Sequence, residues 1–490
     1  MLSIEEIATF CKKKGFVYPS SEIYGGFAGF WDFGPLGVEL LNNIKTNWWK
    51  YFIQDREDIV GLDASVICHP RTWKASGHIE SFNDISIKCI NCKKINKIDK
   101  RELGKARCEF CKGQLDEKTA KELNLLFPIS VGPDKGITAY LRGECAQGMF
   151  LDFKIITDTN RLKMPFGIAQ VGKCFRNEIS PRDFLFRSRE FTIAELEYFL
   201  HPDDKKCGLL DKKSLGIKIR FLNAETQKKG KQSLKETTVQ KILNEKRLGE
   251  WHAYWLAEQL IWFKELGLNL NKLKVREHTK DELSHYSSAT FDIDYEYPFG
   301  SKEIAGIANR GQYDLKQHIK ESGQKLEIFD EETKTRVLPM VIEPTWGMER
   351  VFLAVLVDAY DYDKKRGNVV LKLNPKLAPV KVAVFPLVNK LKKESLKIFE
   401  LLKKDFNCIF DSSGSIGRRY ARADEIGVPF AITVDFKSKR NKDVTIRDLN
   451  TTKQIRVKIK DLKETLNKLI KGDVKFERAG RAVKTKTSGN

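Results

Sequence analysis

The sequence predicts an α+β unit followed by a smaller α/β unit, on three observations. First, VGKCFRNEISPRDFLFRSREFTIAELEYF (Val171–Phe199) alternates with period two on either side of a break at Pro181–Asp183, as an antiparallel hairpin does. Second, Leu36, Leu40, Ile44, Trp48 and Phe52 recur every four residues, which marks a helix with one broad apolar stripe. Third, two prolines break an extended stretch at Asn374–Val382, and strand and helix patterns alternate beyond it.

The elements follow in order. Pro35 falls in the first turn of the striped helix, where a missing N–H costs least, and the glycines of GGFAG and FGPLG mark tight turns before it. CINCKKINKIDKRELGKARCEFC carries two C-x2-C pairs, Cys89/Cys92 and Cys108/Cys111. That spacing brings four thiolates to one tetrahedral Zn²⁺, and a closed four-sulfur site has a structural role. A zinc-ribbon-like insertion is therefore expected over 89–111. The lysine-rich stretch from about 201 to 282 alternates weakly and reads as a second insertion.

In the hairpin, Arg176 and Glu178 share one face, as do Phe191, Ile193, Glu195, Glu197 and Phe199, with a long polar loop between the strands. A guanidinium, an aromatic plate and carboxylates on one surface suit a ligand with phosphates, a flat ring and an ammonium group. LRGECAQGM (Leu141–Met149) places Glu144 and Gln147 between glycines. VIEPTWGMERVFLAVLVDAY (Val341–Tyr360) runs from a strand through Gly347 into an apolar helix with Arg350 in its first turn. A cation at that positive dipole end is unfavourable without an anion, which marks Arg350 as functional.

The unit after the prolines reads as strand VKVAVF, helix LKKESLKIFELLKKD, strand NCIFD, helix RRYARADEIG, strands AITVDF, DVTIRDL and QIRVKIK, and helix DLKETLNKLIKG. It carries most of the excess charge: residues 376–490 hold 28 Lys+Arg against 13 Asp+Glu, net +15 of the chain's +21. A polyanion partner for that end follows. No apolar run approaches the roughly 18 residues that span a bilayer. The N-terminal MLSIEEIATFCKKKGF lacks a signal-peptide core, and the scattered cysteines fit a reducing compartment. A cytoplasmic protein without a membrane anchor is expected.

Together these stretches resemble the glycyl-tRNA synthetases of the single-polypeptide, homodimeric type, which are class II aminoacyl-tRNA synthetases. The resemblance covers nearly the whole chain. GGFAGFWDFGPLGVELLNNIKTNWWKYF resembles the first class II motif, which supports the dimer interface in the family. FRNE (Phe175–Glu178) with RSREF (Arg187–Phe191) resembles the second, and GMER (Gly347–Arg350) the third. RTWKASGH (Arg71–His78) with FND (Phe82–Asp84) resembles the stretch that separates glycyl enzymes from other class II members. That stretch and the EPTWG form argue against a prolyl or threonyl enzyme. The standing Arg176, Glu178, Phe191, Glu195 and Arg350 argue against a non-catalytic paralogue. No G-x-G-x-x-G and no P-loop is present.

The resemblance implies a class II antiparallel sheet flanked by helices over residues 1–375 and an anticodon-binding domain over 376–490. It implies ATP with Mg²⁺, glycine, tRNA(Gly) and a homodimer. Arg176 and Arg350 are the implied catalytic residues, holding the α- and γ-phosphates. The implied ATP site also includes Asn177, Glu178, Phe186, Arg187, Ser188, Arg189, Glu190, Phe191, Glu303, Ile304, Gly347, Met348 and Glu349, with Glu303 as Mg²⁺ ligand. The implied glycine site comprises Lys97, Glu144, Phe191, Thr192, Ile193, Ala194, Glu195, Glu343, Pro344, Thr345, Trp346 and Gly347. Gly143, Cys145 and Thr345 depart from the family's usual Pro, Thr and Ser.

Overall fold

The computed structural model describes residues 2–98, 102–133, 136–230, 233–283 and 287–483. Part of the loop between the two C-x2-C pairs and most of the polar tail RAVKTKTSGN thus lie outside the described residues.

A nine-stranded sheet organises the larger unit. Its strands are β1 (Ile59–Gly61), β2 (Phe166–Phe175), β3 (Glu190–Leu200), β4 (Lys218–Leu222), β5 (Lys235–Thr238), β6 (Leu273–Glu277), β7 (Ala289–Tyr297), β8 (Gly300–Gly311) and β9 (Met340–Gly347). The spatial order is β5-β4-β6-β7-β8-β9-β3-β2-β1. Only the β4–β6 and β1–β2 pairs are parallel. β2 and β3 form the expected antiparallel hairpin, from Phe166 opposite Phe199 to Phe175 opposite Glu190. Its connection is not a plain polar loop. Phe184 and Leu185 sit in a short 3₁₀ turn and are buried in the main core, because their apolar side chains outweigh the surrounding charges.

The helices are α1 (Ile4–Lys14), α2 (Pro35–Trp49), α3 (Ala146–Asn160), α4 (Glu250–Leu266), α5 (Tyr313–Ser322) and α6 (Met348–Ala359). Pro35 begins α2, which continues as a π-helical turn over Lys50–Gln54. The apolar stripe of α2 packs into an aromatic cluster. Trp346 lies 5.4 Å from Trp48 and 4.6 Å from Phe52 between ring centroids, and Trp262 of α4 lies 5.9 Å from Phe52.

The reading of 201–282 as an insertion is corrected. Twelve residues of α4 are buried, and the amide of Gln259 donates to the carbonyls of Gly306 (2.9 Å) and Thr345 (3.3 Å). This helix is apolar nearly all round, so it belongs to the core. Strands β4–β6 extend the main sheet beside it. The ribbon is also larger than 89–111. Strands Asn83–Cys89, Ile95–Ile98 and Leu115–Asn124 form one three-stranded sheet, since the cysteine turns need strands to carry them.

The C-terminal unit has the expected alternation. β10 (Val382–Pro386), β11 (Cys408–Phe410) and β12 (Phe430–Val434) are parallel, and β13 (Asp443–Asp448), β14 (Gln454–Lys458) and β15 (Arg481–Ala482) continue the sheet antiparallel. Leu377 and Ala378 belong to the core of the larger unit, where Asn43 donates to both carbonyls.

Gly37 marks the tightest approach of α2 to the preceding chain: a Cβ there would lie 1.8 Å from the carbonyl oxygen of Phe16. Gly37→Ala is expected to lower unfolding free energy by about 1–3 kcal/mol. An unchanged urea midpoint would show that α2 shifts freely.

Candidate active site

A cavity of about 440 Å³ opens on the face of the sheet formed by β3 and β6–β9. One end is built for anions around a flat ring. The Arg176 guanidinium lies 5.4 Å from the ring of Phe191 and 5.2 Å from that of Phe82, and its Nε donates to the Gly143 carbonyl at 3.0 Å. The FND stretch thus supplies one wall of the arginine's seat. Arg350, in the first turn of α6, stacks on Phe186 at 4.5 Å and pairs with Glu303 at 3.1 Å. Arg187 is not an open cation, since it pairs with Glu178 at 2.6 Å. Farther along the wall, Arg276 and His278 of β6 and its outgoing turn both meet Asp292 of β7, His278 at 2.8 Å.

The other end is a buried carboxylate cluster. Glu144, Glu195 and Glu343 line the cavity, with Glu197 and Asp314 beneath it. Arg310, whose side chain is 1% exposed, donates to Glu343 at 2.8 Å and to both oxygens of Asp314 at 2.8 Å each. Glu144 lies 3.6 Å from Arg310, 3.3 Å from His78 and 2.9 Å from the Gln147 amide. The backbone N–H of Cys145 donates to Glu195 at 2.6 Å.

Burial pushes Glu195 and Glu197 well above the usual carboxylate range, and neighbouring carboxylates add to it. Burial raises Glu343 to about 7 against the pull of Arg310. For Glu144, His78 and Arg310 more than offset burial and hold it below the usual range. Burial holds several of these carboxyls toward their neutral forms beside a single guanidinium, and an arriving small cation such as an ammonium group would favour their ionised forms.

Several residues singled out from the sequence lie elsewhere. Ile304, Met348 and Ala194 are fully buried in the core. Pro344 is buried in β9 opposite Ile307, and its missing donor interrupts a central ladder. Arg189 ties the hairpin loop to the Ala28 carbonyl (2.9 Å), and Glu190 pairs with Lys173 (3.0 Å). Asn177 donates its backbone N–H to the Leu125 carbonyl, 2.8 Å away. Lys97, on the ribbon, pairs with Asp84 and lies 4.0 Å from Glu178. Glu349 reaches the cavity wall, but its carboxylate accepts from the N–H (2.7 Å) and hydroxyl (2.9 Å) of Thr192. Thr192, Ile193, Ser188, Thr345, Trp346 and Gly347 do line the cavity.

The four ribbon cysteines come together, with every pair of sulfurs within 4.8 Å and two pairs at 3.5 Å. Four thiolates around Zn²⁺ at about 2.3 Å stand roughly 3.8 Å apart, so the donor set fits the ion in kind and size.

The Anticodon binding domain model matches residues 381–469. A curated protein of Geobacillus thermodenitrificans, "Glycine--tRNA ligase", is 41% identical over 96% of this chain and 98% of its own length. One of the same name from Borrelia hermsii is 40% identical over 94% and 96%.

This chain belongs to the glycine–tRNA ligase family.

Within that family frame, the sequence reading passed over Arg310, Asp314, His78, Gln259, Arg276, His278 and Asp292. Two signals were present. Arg310 and Asp314 stand four apart across a strand–helix junction, and Asp292, Asp294 and Glu296 alternate with Phe291, Ile293 and Tyr295 along one strand.

Arg310→Gln strands buried carboxylates and is expected to cost about 3–5 kcal/mol of stability near neutral pH. The freed carboxyls would have folded pKa values above their unfolded ones, so the folded variant binds the extra protons. Its deficit in urea denaturation should therefore shrink at mildly acidic pH; a deficit independent of pH contradicts the assignment.

Proposed function

We propose that this protein joins glycine to tRNA(Gly) in two steps within the cavity described. A carboxylate oxygen of glycine attacks the α-phosphorus of ATP, forming glycyl-adenylate and releasing pyrophosphate. A hydroxyl of the tRNA 3′-terminal adenosine then attacks the carbonyl carbon, and AMP leaves.

The observation that carries this reading is the polarity of one cavity. Arginines and aromatic rings stand at one end, and a buried carboxylate cluster stands at the other. Arg176, fixed between Phe82 and Phe191, takes the α-phosphate, and Phe191 takes the adenine face. Arg350, turned over Phe186, takes the γ-phosphate end. No step needs a proton-transferring side chain; placement and charge neutralisation lower the barrier. Glu303 is the residue that would hold Mg²⁺, which supplies charge neutralisation to the phosphates when bound.

Glu144, Glu195 and Glu343 receive the glycine ammonium. Glycine is selected by exclusion, because a pocket without spare volume rejects a larger side chain by clash. The basic C-terminal unit takes the tRNA anticodon region. Zinc at the four cysteines, a homodimer built on the α2 region and a cytoplasmic setting belong to the same reading. Among the described residues no helix is long and apolar enough to cross a membrane.

Glycine-dependent ATP–pyrophosphate exchange tests this directly, with alanine, proline and threonine run alongside. Arg176→Ala should reduce exchange by about 10²–10³-fold while the protein stays folded. Near-normal exchange in that variant, or exchange driven as well by alanine, would sink the reading.

The ribbon has a second consequence. It carries Lys97 near Glu178 and Glu109 against Arg182, so it braces the hairpin loop. Metal analysis should find about one zinc per chain. Cys108→Ser should lose it, melt earlier and show weaker ATP binding. Protein purified without chelator yet devoid of metal would contradict the zinc assignment.

A further inference from the structure

The register of the main sheet sets four residues in one row across the active cavity. Asp292 of β7 is opposite Gly306 of β8, Gly306 is opposite Thr345 of β9, and Thr345 is opposite Glu195 of β3. Residues directly opposite one another share a face of the sheet, and all four line the cavity. The row has a gap at Gly306, where a Cβ would lie 3.5 Å from Thr345 Oγ1 and 3.6 Å from Asp292 Oδ1. With no side chain between them, Asp292 Oδ1 faces Thr345 across bare backbone.

Asp292 is clamped by its other oxygen. Its Oδ2 accepts from Arg276 and lies 2.8 Å from His278 Nε2. Arg276 also donates to Glu282 at 3.1 Å, and its Nε lies 3.8 Å from Asp294. Oδ1 has no hydrogen-bond partner among the described residues and, unlike the orphaned Glu197 carboxylate, is not sealed from the cavity. A carboxylate oxygen in so enclosed a place is normally paired. Its missing partner therefore comes from a ligand. Arg276 and His278 already face the negative charge, so a further cation gains little, and a phosphate is repelled. A neutral hydroxyl suits it, because it donates to a charged acceptor and loses little hydration.

The inference rests on the proposed function. There the adenylate takes Arg176, Phe191 and Arg350, none of which is on β6 or β7, and its glycyl part lies at Glu144, Glu195 and Glu343. The wall of β6 and β7 stays open for the second substrate. The terminal ribose of tRNA carries two neighbouring hydroxyls, and only one of them forms the new bond. We propose that Asp292 Oδ1 accepts a hydrogen bond from the other hydroxyl of that ribose and so holds its neighbour toward the glycyl carbonyl. ATP carries a ribose as well, and the test separates the two sources.

Single-turnover transfer from the bound adenylate is measured with tRNA(Gly) ending in adenosine, 2′-deoxyadenosine or 3′-deoxyadenosine. One deoxy terminus lacks the attacking oxygen and accepts no glycine. The other keeps it, and in the unaltered protein should slow transfer by about 10–100-fold, as loss of a hydrogen bond to a charged group does. In Asp292→Asn, Arg276 and His278 retain the amide oxygen, which turns the NH2 over the gap. Transfer to normal tRNA should fall by a similar factor, and the deoxy penalty should shrink to less than about threefold. Circular dichroism checks the fold. Gly306→Ala, which leaves every ion pair in place and sets a methyl beside Oδ1, should reduce the penalty too. The proposal is overturned if the unaltered protein shows no penalty, or if both variants keep it in full, as general damage would. It is equally overturned if Asp292→Asn instead removes a penalty seen in exchange with 2′-deoxy-ATP or 3′-deoxy-ATP, which assigns Asp292 to the ATP ribose. An unaltered protein without glycine-dependent exchange fails the ligase reading, and this inference with it; intact exchange with an undiminished penalty in the variants fails Asp292 alone.

Discussion

Arg310 is the charge on which the floor of the active cavity rests. Its guanidinium is buried and joins Asp314 at the start of α5, Glu343 on β9 and Glu144 before α3. Without it, these carboxylates would repel one another across a region that water does not reach. With it, they stand close together, and burial holds several carboxyls of the cluster toward the neutral form. The same ion-pair cluster therefore fixes the floor's geometry, and under the proposed function it is the end that receives the ammonium group. A buried pair of this kind contributes little net stability when complete and costs much when broken.

The opposite end follows a different rule. Arg176 and Arg350 are held by rings and backbone carbonyls, and Arg350 also meets the half-exposed Glu303. Stacking fixes each guanidinium's plane; Arg176 spends only its Nε on a carbonyl, and Arg350 spends Nε and Nη1, so each keeps donors for the anion that the proposed function places there. Arg187 contrasts with them, because Glu178 already occupies it. Behind both ends, Gln259 of α4 holds the carbonyls of Gly306 and Thr345, and the aromatic cluster of α2, α4 and Trp346 supports that helix.

Much of this was legible in the chain. The hairpin followed from period two, α2 from its four-residue stripe and Pro35, and the four-cysteine cluster from two C-x2-C turns. The misreadings have physical causes. α4 is hidden in the sequence because its lysine-rich neighbours dilute the composition and a helix apolar on all sides shows little periodicity. The hairpin loop reads as polar because its charges mask Phe184 and Leu185. Glu349, Arg189 and Glu190 sit beside motif residues in sequence, but local geometry turns them to Thr192, Ala28 and Lys173.

The sequence by itself determined the kinds of elements, the motif residues, the four-cysteine cluster and the charge of the C-terminal unit. All of these depend on spacing within a short stretch of chain. The tertiary structure alone decided which charges meet. Arg310 finds Glu343 because β8 and β9 are neighbours, and His78 meets Glu144 although the whole ribbon lies between them in the chain. Such contacts join residues far apart in sequence, so they depend on sheet order and packing, which no local pattern records.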